Sequence, residues 1–380
     1  MSEPYTILTG DVRTSLAAIP DKSVQLCVTS PPYFGLRAYC DDPAEIGREK
    51  TIAAYVGNLV DVFREIKRVL RDDGVIFVNL GDSYSGSGKG GGGNRKGNEH
   101  GQHDAMKQAG RPPAEVPPKS LCGIPWRVAF ALQDDGWILR SDIIWAKPAP
   151  MPESVTDRCT KSHEYIFMLA KKQKYYYDNE AIKEPAQDWG ERDRSNMRDG
   201  TTDGLLKYHG LQNINFAERG RNKRDVWSVN TECNSLPHYA MMPKELIKPC
   251  VLAGTSEAGQ CSECGKPWVR VVEKSGGTWQ ERVEAGAPMR YRTENLDAQA
   301  KVHLGGSNTT TMGWRPTCNC NAPTEPQIVL DPFSGMATVG VVALGYGRRY
   351  IGCELNPEYA AMSEKRLRDV PRCLDFGGGE

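Results

Sequence analysis

Residues 327–340 read QIVLDPFSGMATVG. A short apolar run ends on an acid, Asp331, a Pro-Phe-Ser-Gly turn follows, and apolar residues resume at once. The pattern predicts a strand over QIVLDPF, a turn, and a helix over Met336 to Leu344. A Gly-containing turn between a strand and a helix lets backbone approach a ligand at the strand's carboxyl edge. The next strand, in RRYIGCELNPEY (348–359), ends on Glu354. An acid roughly 20 residues after such a turn can accept hydrogen bonds from ribose hydroxyls. The helix NPEYAAMSEKRLRDV (356–370) follows. One such turn alone is ordinary strand-turn-helix packing; with the acid one strand later, a nucleoside cofactor becomes the better reading.

The amino-terminal half repeats the alternation. YTILTGD (5–11) predicts a strand and then a helix ending near Pro20, and Val24 to Thr29 a more buried strand. From about Thr51 to Arg71, Val56, Leu59, Val60, Phe63, Ile66 and Leu70 fall at helical spacing, with Gly74 as the stop before a strand in GVIFVNLGD (74–82). A helix over 122–135, strands in WILRSDIIWA (137–146) and EYIFMLA (164–170), and a helix around Pro243 to Leu252 complete the periodic segments. Strand and helix alternating at both ends predict an α/β, Rossmann-like fold with a central, mostly parallel sheet and irregular insertions.

Composition bounds what the insertions do. The 380 residues carry 48 basic and 48 acidic side chains, so bulk charge does not drive polyanion binding. Residues 84–118 are Gly-rich and predict a long loop, with Lys89, Arg95, Lys96, Lys107 and Arg111 against Glu99 and Asp104. Such a loop suits phosphates or is simply a solvated insert. His100 and His103 read as solvated rather than as ligands. Between 190 and 225, eight basic residues face six acidic ones without a clear period. No apolar run approaches 18 residues and the start, MSEPYTILTGD, is polar, which predicts a cytoplasmic protein without a membrane partner. Twelve Cys there read as thiols or metal ligands. Cys27 and Cys353 fall on predicted strands as core residues.

The cofactor class narrows by exclusion. No G-x-x-x-x-G-K-[ST] is present, and the turn lacks the G-x-G-x-x-G that seats a pyrophosphate, leaving a nucleoside without a diphosphate. Here the residues resemble a known family. DPFSG followed by IGCELNPEY looks like the S-adenosylmethionine site of amino-group DNA methyltransferases, and TSPPY (29–33) like their catalytic motif. TSPPY lies before DPFSG, an order similar to the circularly permuted β group of the family. GDV (10–12) resembles the motif that contacts the cofactor adenine, and SDIIWAKP (141–148) a later family motif.

The resemblance implies a Rossmann-like methyltransferase fold binding S-adenosylmethionine through Asp11, Asp331, Pro332, Phe333, Ser334, Gly335, Ala337 and Glu354. Where the family turn is usually F-x-G-x-G, this chain has Ala337, expected to be tolerated if its φ stays negative. Catalysis is expected at Ser30, Pro31, Pro32 and Tyr33. An exocyclic amine is a poor nucleophile because its lone pair is delocalised. Ser30 Oγ and the Pro31 carbonyl can accept its two hydrogens, Pro31 and Pro32 stiffen that pair, and Tyr33 can stack on a flipped-out base. Ser at the first motif position is associated in the family mainly with cytosine N4, and Asp with adenine N6. The expected substrate is therefore cytosine N4 in duplex DNA. Adenine N6, an RNA or protein amide, and a non-catalytic DNA-binding protein of the same fold remain as alternatives. A companion restriction endonuclease and a homodimer are compatible with the family.

The cysteines carry a separate signal. Cys261-Ser-Glu-Cys264 and Cys318-Asn-Cys320 are two thiol pairs suited to tetrahedral, structural zinc. The expected organisation is then a catalytic part over 1–177, a target-recognition region over 178–235, a cofactor-binding part over 236–260 and 321–380, and a zinc-binding insertion over 261–320.

Overall fold

The computed structural model describes residues 3–35, 42–85, 115–185, 220–232, 241–275 and 308–371. The basic residues of the 84–118 insert and most of segment 190–225 lie outside them. The chain divides into two compact units: Met1–Asp178, Arg224–Trp268 and Pro316–Glu380 form one, Asn179–Lys223 and Val269–Arg315 the other. In the second unit, β8 (Val269–Ser275) pairs antiparallel with β9 (Asn308–Arg315), and Glu184 bridges Arg221.

The first unit is built on an eight-stranded sheet. Its strands are β1 (Tyr5–Thr9), β2 (Val24–Thr29), β3 (Leu70–Leu80), β4 (Ile138–Ala146), β5 (His163–Ala170), β6 (Val226–Ser228), β11 (Ile328–Asp331) and β12 (Arg349–Glu354). They lie in the order β1-β12-β11-β2-β3-β5-β4-β6. From β1 through β3 every pairing is parallel, while β5 runs antiparallel to both β3 and β4. The fold is Rossmann-like and α/β, as the periodicity predicts.

Two apolar clusters cover the sheet's faces. Cys27, Ile76, Val78, Leu330 and Cys353 pack with α1 (Val12–Ala17), α2 (Ile52–Val69) and α3 (Ile124–Asp134). Leu26, Val28, Val75, Phe77 and Val329 pack with α4 (Lys244–Gly254), α5 (Thr338–Gly345) and α6 (Pro357–Arg368). Alternate residues of one strand thus face opposite helix layers, so all six residues of β2 are buried. Cys27 and Cys353 are core residues, as expected.

Several boundaries differ from the sequence expectation by a few residues, and two of them have a clear physical cause. The helix expected to reach Arg71 ends at Val69, because Leu70 turns extended (φ −71°, ψ 138°) and pairs with Val24. Gly74 is therefore no helix stop. It lies within β3, where an added Cβ would sit 2.8 Å from the Gln25 carbonyl. The helix expected from Met336 begins at Thr338, since Met336 and Ala337 complete the preceding turn.

Candidate active site

The parallel strands β12, β11 and β2 end side by side, and each ends on chemistry: Glu354, Asp331, and Thr29 followed by Ser30. Ligands of doubly wound sheets bind beyond such carboxyl ends. There a cleft opens with about 1110 Å³ of non-protein space, its mouth included. It is lined by Ser30, Pro31, Pro32 and Tyr33 at one side and by Asp331, Pro332, Phe333, Ser334, Gly335 and Glu354 at the other. Two motifs about 300 residues apart thus share one cavity. Two expected residues take other places. Asp11 caps α1, its Oδ1 accepting from the Arg13 amide at 2.7 Å, and its neighbours Gly10 and Val12 line the cleft instead. Ala337 is fully buried beneath the turn.

The cofactor turn is held from several directions. Glu354 accepts from the Gly335 amide (2.7 Å) and the Asn356 amide (2.9 Å). Ser363 Oγ donates to the Gly335 carbonyl (2.6 Å), and Arg366 to the Met336 carbonyl (2.8 Å). Burial pushes the Glu354 carboxyl up to about 6, against the lowering effect of the amides it accepts from. Asp331 accepts from Thr29 Oγ1 (2.7 Å) and the Phe333 amide (3.1 Å), tying the end of β2 to the turn. Full burial raises its carboxyl to about 7. The expectation of negative φ at Ala337 is corrected: this residue sits at φ 52°, ψ 40°, the left-handed region. The turn demands that conformation to start α5, and Ala meets the demand at a steric cost.

On the substrate side, the Pro32 carbonyl is engaged by the Tyr55 hydroxyl at 2.9 Å. Ser30 and Pro31, the residues expected to face a substrate amine, line the cleft beside it. Behind them lies a partly buried polar cluster that no sequence pattern marks as a unit. Tyr33 donates its hydroxyl to Glu164 Oε2 at 2.6 Å. Asn79 Nδ2 lies 2.6 Å from the Tyr33 oxygen, 2.9 Å from Glu164 Oε2 and 3.3 Å from Ser30 Oγ. Lys147 pairs with Glu164 Oε1. Burial alone would raise the Glu164 carboxyl; the Lys147 charge and the bonds from Lys147, Tyr33 and Asn79 outweigh it and hold it below its ordinary value. The only sequence signal was Lys147 inside SDIIWAKP, which marks a motif without saying what the lysine meets.

All four expected zinc ligands converge. The Sγ atoms of Cys261, Cys264, Cys318 and Cys320 lie within 4.8 Å of one another. The first pair forms a tight knuckle, with the Gly265 amide on the Cys261 carbonyl (2.8 Å), the Cys261 amide on the Lys266 carbonyl (2.9 Å), and Gly265 at φ 67°. The second pair is joined to it where β7 (Gln260–Cys261) meets β10 (Thr324–Glu325). The Lys266 amide, bonded to the Cys264 sulfur, leads the effects that lower that thiol to about 7.

A carboxylate-framed turn and an S-P-P-Y turn facing one cleft at the carboxyl edge of a permuted Rossmann-like sheet define an amino-group methyltransferase site. Comparison with known proteins agrees. Residues 24–261 and 322–365 match the N6/N4 family model described as DNA methylase. The chain is 38% identical over 365 residues to the Type II methyltransferase M.Cfr9I of Citrobacter freundii, spanning 96% of this chain and 87% of that protein. It is 35% identical over 361 residues to the Type II methyltransferase M.SmaI of Serratia marcescens, spanning 95% and 90%. The solved structure of PvuII DNA methyltransferase (cytosine-N4-specific) superposes with a TM-score of 0.52 at 16% identity, covering 100% of this chain and 89% of that one. This chain belongs to the N6/N4 DNA methylase family, among its Type II methyltransferases. S-adenosylmethionine is that family's methyl donor. The cleft fits it: Glu354, which accepts from the Gly335, Asn356 and Leu355 amides, keeps lone-pair capacity for a hydroxyl, and Phe333 and Leu355 supply apolar walls.

Proposed function

We propose that this methyltransferase modifies the exocyclic N4 of a cytosine flipped out of duplex DNA. The observation that carries the reading is Ser30 and Pro31 lining the same cleft as the Asp331–Gly335 turn. When bound, S-adenosylmethionine supplies an electrophilic methyl group on its sulfonium. The protein's own work is to make the amine a nucleophile. Ser30 Oγ and the Pro31 carbonyl accept the two N–H hydrogens, favour a pyramidal nitrogen, and release its lone pair toward the methyl. Both acceptors are fixed beforehand, the prolines by their ring-locked φ and Ser30 by its position at the end of a fully buried strand. Tyr33 takes up stacking that the base loses on leaving the duplex, worth about 1–3 kcal/mol. Ser30 positions and does not act as a base; the amine's proton passes to water after transfer. Serine at the head of the motif supports cytosine over adenine.

The test is mass spectrometry of nucleosides from DNA incubated with the enzyme and S-adenosylmethionine. N4-methylcytosine is expected. N6-methyladenine alone overturns the base assignment, and no methylated base at all overturns the DNA reading.

The four thiols are proposed to hold one structural zinc ion. A tetrahedral site with Zn–S near 2.3 Å needs sulfurs about 3.8 Å apart, which the 4.8 Å cluster reaches by small rotations. Four thiolates on Zn²⁺ leave a net negative charge, and the Arg71 guanidinium lies against Gly265, where an added Cβ would be 2.1 Å from its Nη1. Four protein ligands leave no open coordination position, so the ion takes no part in methyl transfer. One zinc per chain in purified protein is expected, and a ratio near zero ends the assignment.

A further inference from the structure

The cluster behind the S-P-P-Y turn points to a role for Asn79 and Glu164, which lie outside the family-like motifs, and for Lys147 within SDIIWAKP. Tyr33 is clamped at two points. One side of its ring rests on Gly81, where an added Cβ would meet Tyr33 Cε2 at 2.4 Å. Its hydroxyl is tied to Glu164 and Asn79. Glu164 lies on β5 and Asn79 on β3, and Lys147 follows β4, so all three neighbouring strands of the antiparallel half contribute. Lys147 is itself oriented by its place over the Trp145 ring, 4.3 Å from the centroid.

Resting on the base-flipping reading above, we infer that Glu164, held by Lys147 and Asn79, is a positioning residue that locks the Tyr33 ring before DNA arrives. A phenol ring on a two-bond tether otherwise turns about χ1 and χ2 and must be ordered at the moment of binding. With its hydroxyl fixed on a partly buried carboxylate, the ring is a rigid wall, and the ordering cost is met on folding instead. Asn79 extends the same lock to Ser30, through the 3.3 Å contact with its Oγ. The arrangement excludes a base role for Glu164. Both of its oxygens are occupied, Oε1 by Lys147 and Oε2 by Tyr33 and Asn79. The group between it and Ser30 is an amide, which relays no proton at neutral pH.

The variant that tests this is Glu164→Gln, which keeps shape and removes the charge that Lys147, Tyr33 and Asn79 share. Methyl transfer to unmethylated plasmid DNA should fall roughly tenfold to a hundredfold in kcat, the usual consequence of a small misplacement at a reacting centre. S-adenosylmethionine affinity should stay at wild type, and the variant should remain folded with a lower melting temperature, because Lys147 loses its charged partner. Tyr33→Phe should lose a similar factor, and the double variant should lose no more than the worse single, since both break one clamp. A wild-type kcat in folded Glu164→Gln, or losses that multiply in the double variant, overturns the inference. A second measurement needs no activity at all: with 3-fluorotyrosine at position 33, the fluorine spectrum should show one ring orientation in the otherwise native chain and two in Glu164→Gln. The same single signal in both would equally overturn it. If the native enzyme modifies no DNA, the methyltransfer reading fails, while the fluorine spectra still decide the clamp.

Discussion

Ala337 concentrates, in one residue, the tension between the cofactor turn and the chain that builds it. Its φ of 52° is one that glycine adopts without penalty and an L-residue does not. The side chain is fully buried, so the strain is not offset by solvent or by a polar cap. Ala337→Gly should therefore stabilise the protein by about 1 kcal/mol, read as a higher denaturant midpoint at unchanged slope. A midpoint lowered by that substitution would mean that the methyl's burial outweighs its strain. Ser30 makes the opposite prediction, through function and not stability. On the proposed mechanism Ser30→Ala deletes one of two acceptors for the amine, and kcat should drop by roughly a hundredfold while S-adenosylmethionine binding is unchanged. A near-native rate would remove Ser30 from the chemistry.

Between residue and molecule stand the strand ends, and the joint of β2 to β11 carries the carboxyl raised furthest among them. Thr29 and the Phe333 amide hold Asp331 in full burial, which raises its carboxyl to about 7 from an ordinary 3.8. An acid with a raised folded pKa binds its proton more tightly folded than unfolded. Its contribution to stability is complete below 3.8 and is lost as pH rises through about 7. Asp331→Asn keeps an acceptor for both donors and removes the buried charge. In urea unfolding without cofactor it should gain on the order of 1–3 kcal/mol over wild type at pH 8, and the gain should vanish by pH 4. A pH-independent difference would show that packing, not ionisation, sets the effect. The same strand ends explain what could be read in advance. β2, β11 and β12 are short apolar runs closed by Ser-Pro-Pro, Asp-Pro and Glu, so period and punctuation together located both halves of the cleft. The α2–β3 junction was illegible because Leu70 fits the helical stripe as well as the strand, and only its pairing with Val24 decides. Asn79 and Glu164 were illegible for a different reason. They reach Tyr33 from 46 and 131 residues away, and nothing local distinguishes a buried anchor from any polar residue on a strand.

At the scale of the molecule, the chain order is permuted while the site is conventional: strands 302 residues apart in sequence, at Thr29 and Asp331, are neighbours in the sheet. Such long-range pairing makes the ends of each excursion matter, and the cysteine cluster stands at both ends of one. Cys264 and Cys318 enclose residues 265–317, 53 positions of chain that leave the first unit, contribute Val269–Arg315 to the second, and return. A cross-link over a loop of that length removes unfolded-state entropy worth about 4 kcal/mol on the chain-entropy account, and a four-thiolate zinc site acts as such a cross-link. The knuckle around Gly265 is ordered by backbone hydrogen bonds of its own. The return segment is tied to it by few (Ser262 amide to Pro323 carbonyl, 3.0 Å; Thr317 Oγ1 to Pro267 carbonyl, 2.7 Å), so the proposed ion would matter most to the second pair. Cys320→Ser should therefore lose the zinc, lower the melting temperature, and loosen the return segment near Pro316 more than the knuckle. Hydrogen exchange on the native and substituted proteins distinguishes these regions: faster exchange confined to 316–325 is the expected pattern. Full zinc content in Cys320→Ser, or native melting after zinc is stripped by a chelator, would leave the four thiols as neighbours without a clasp.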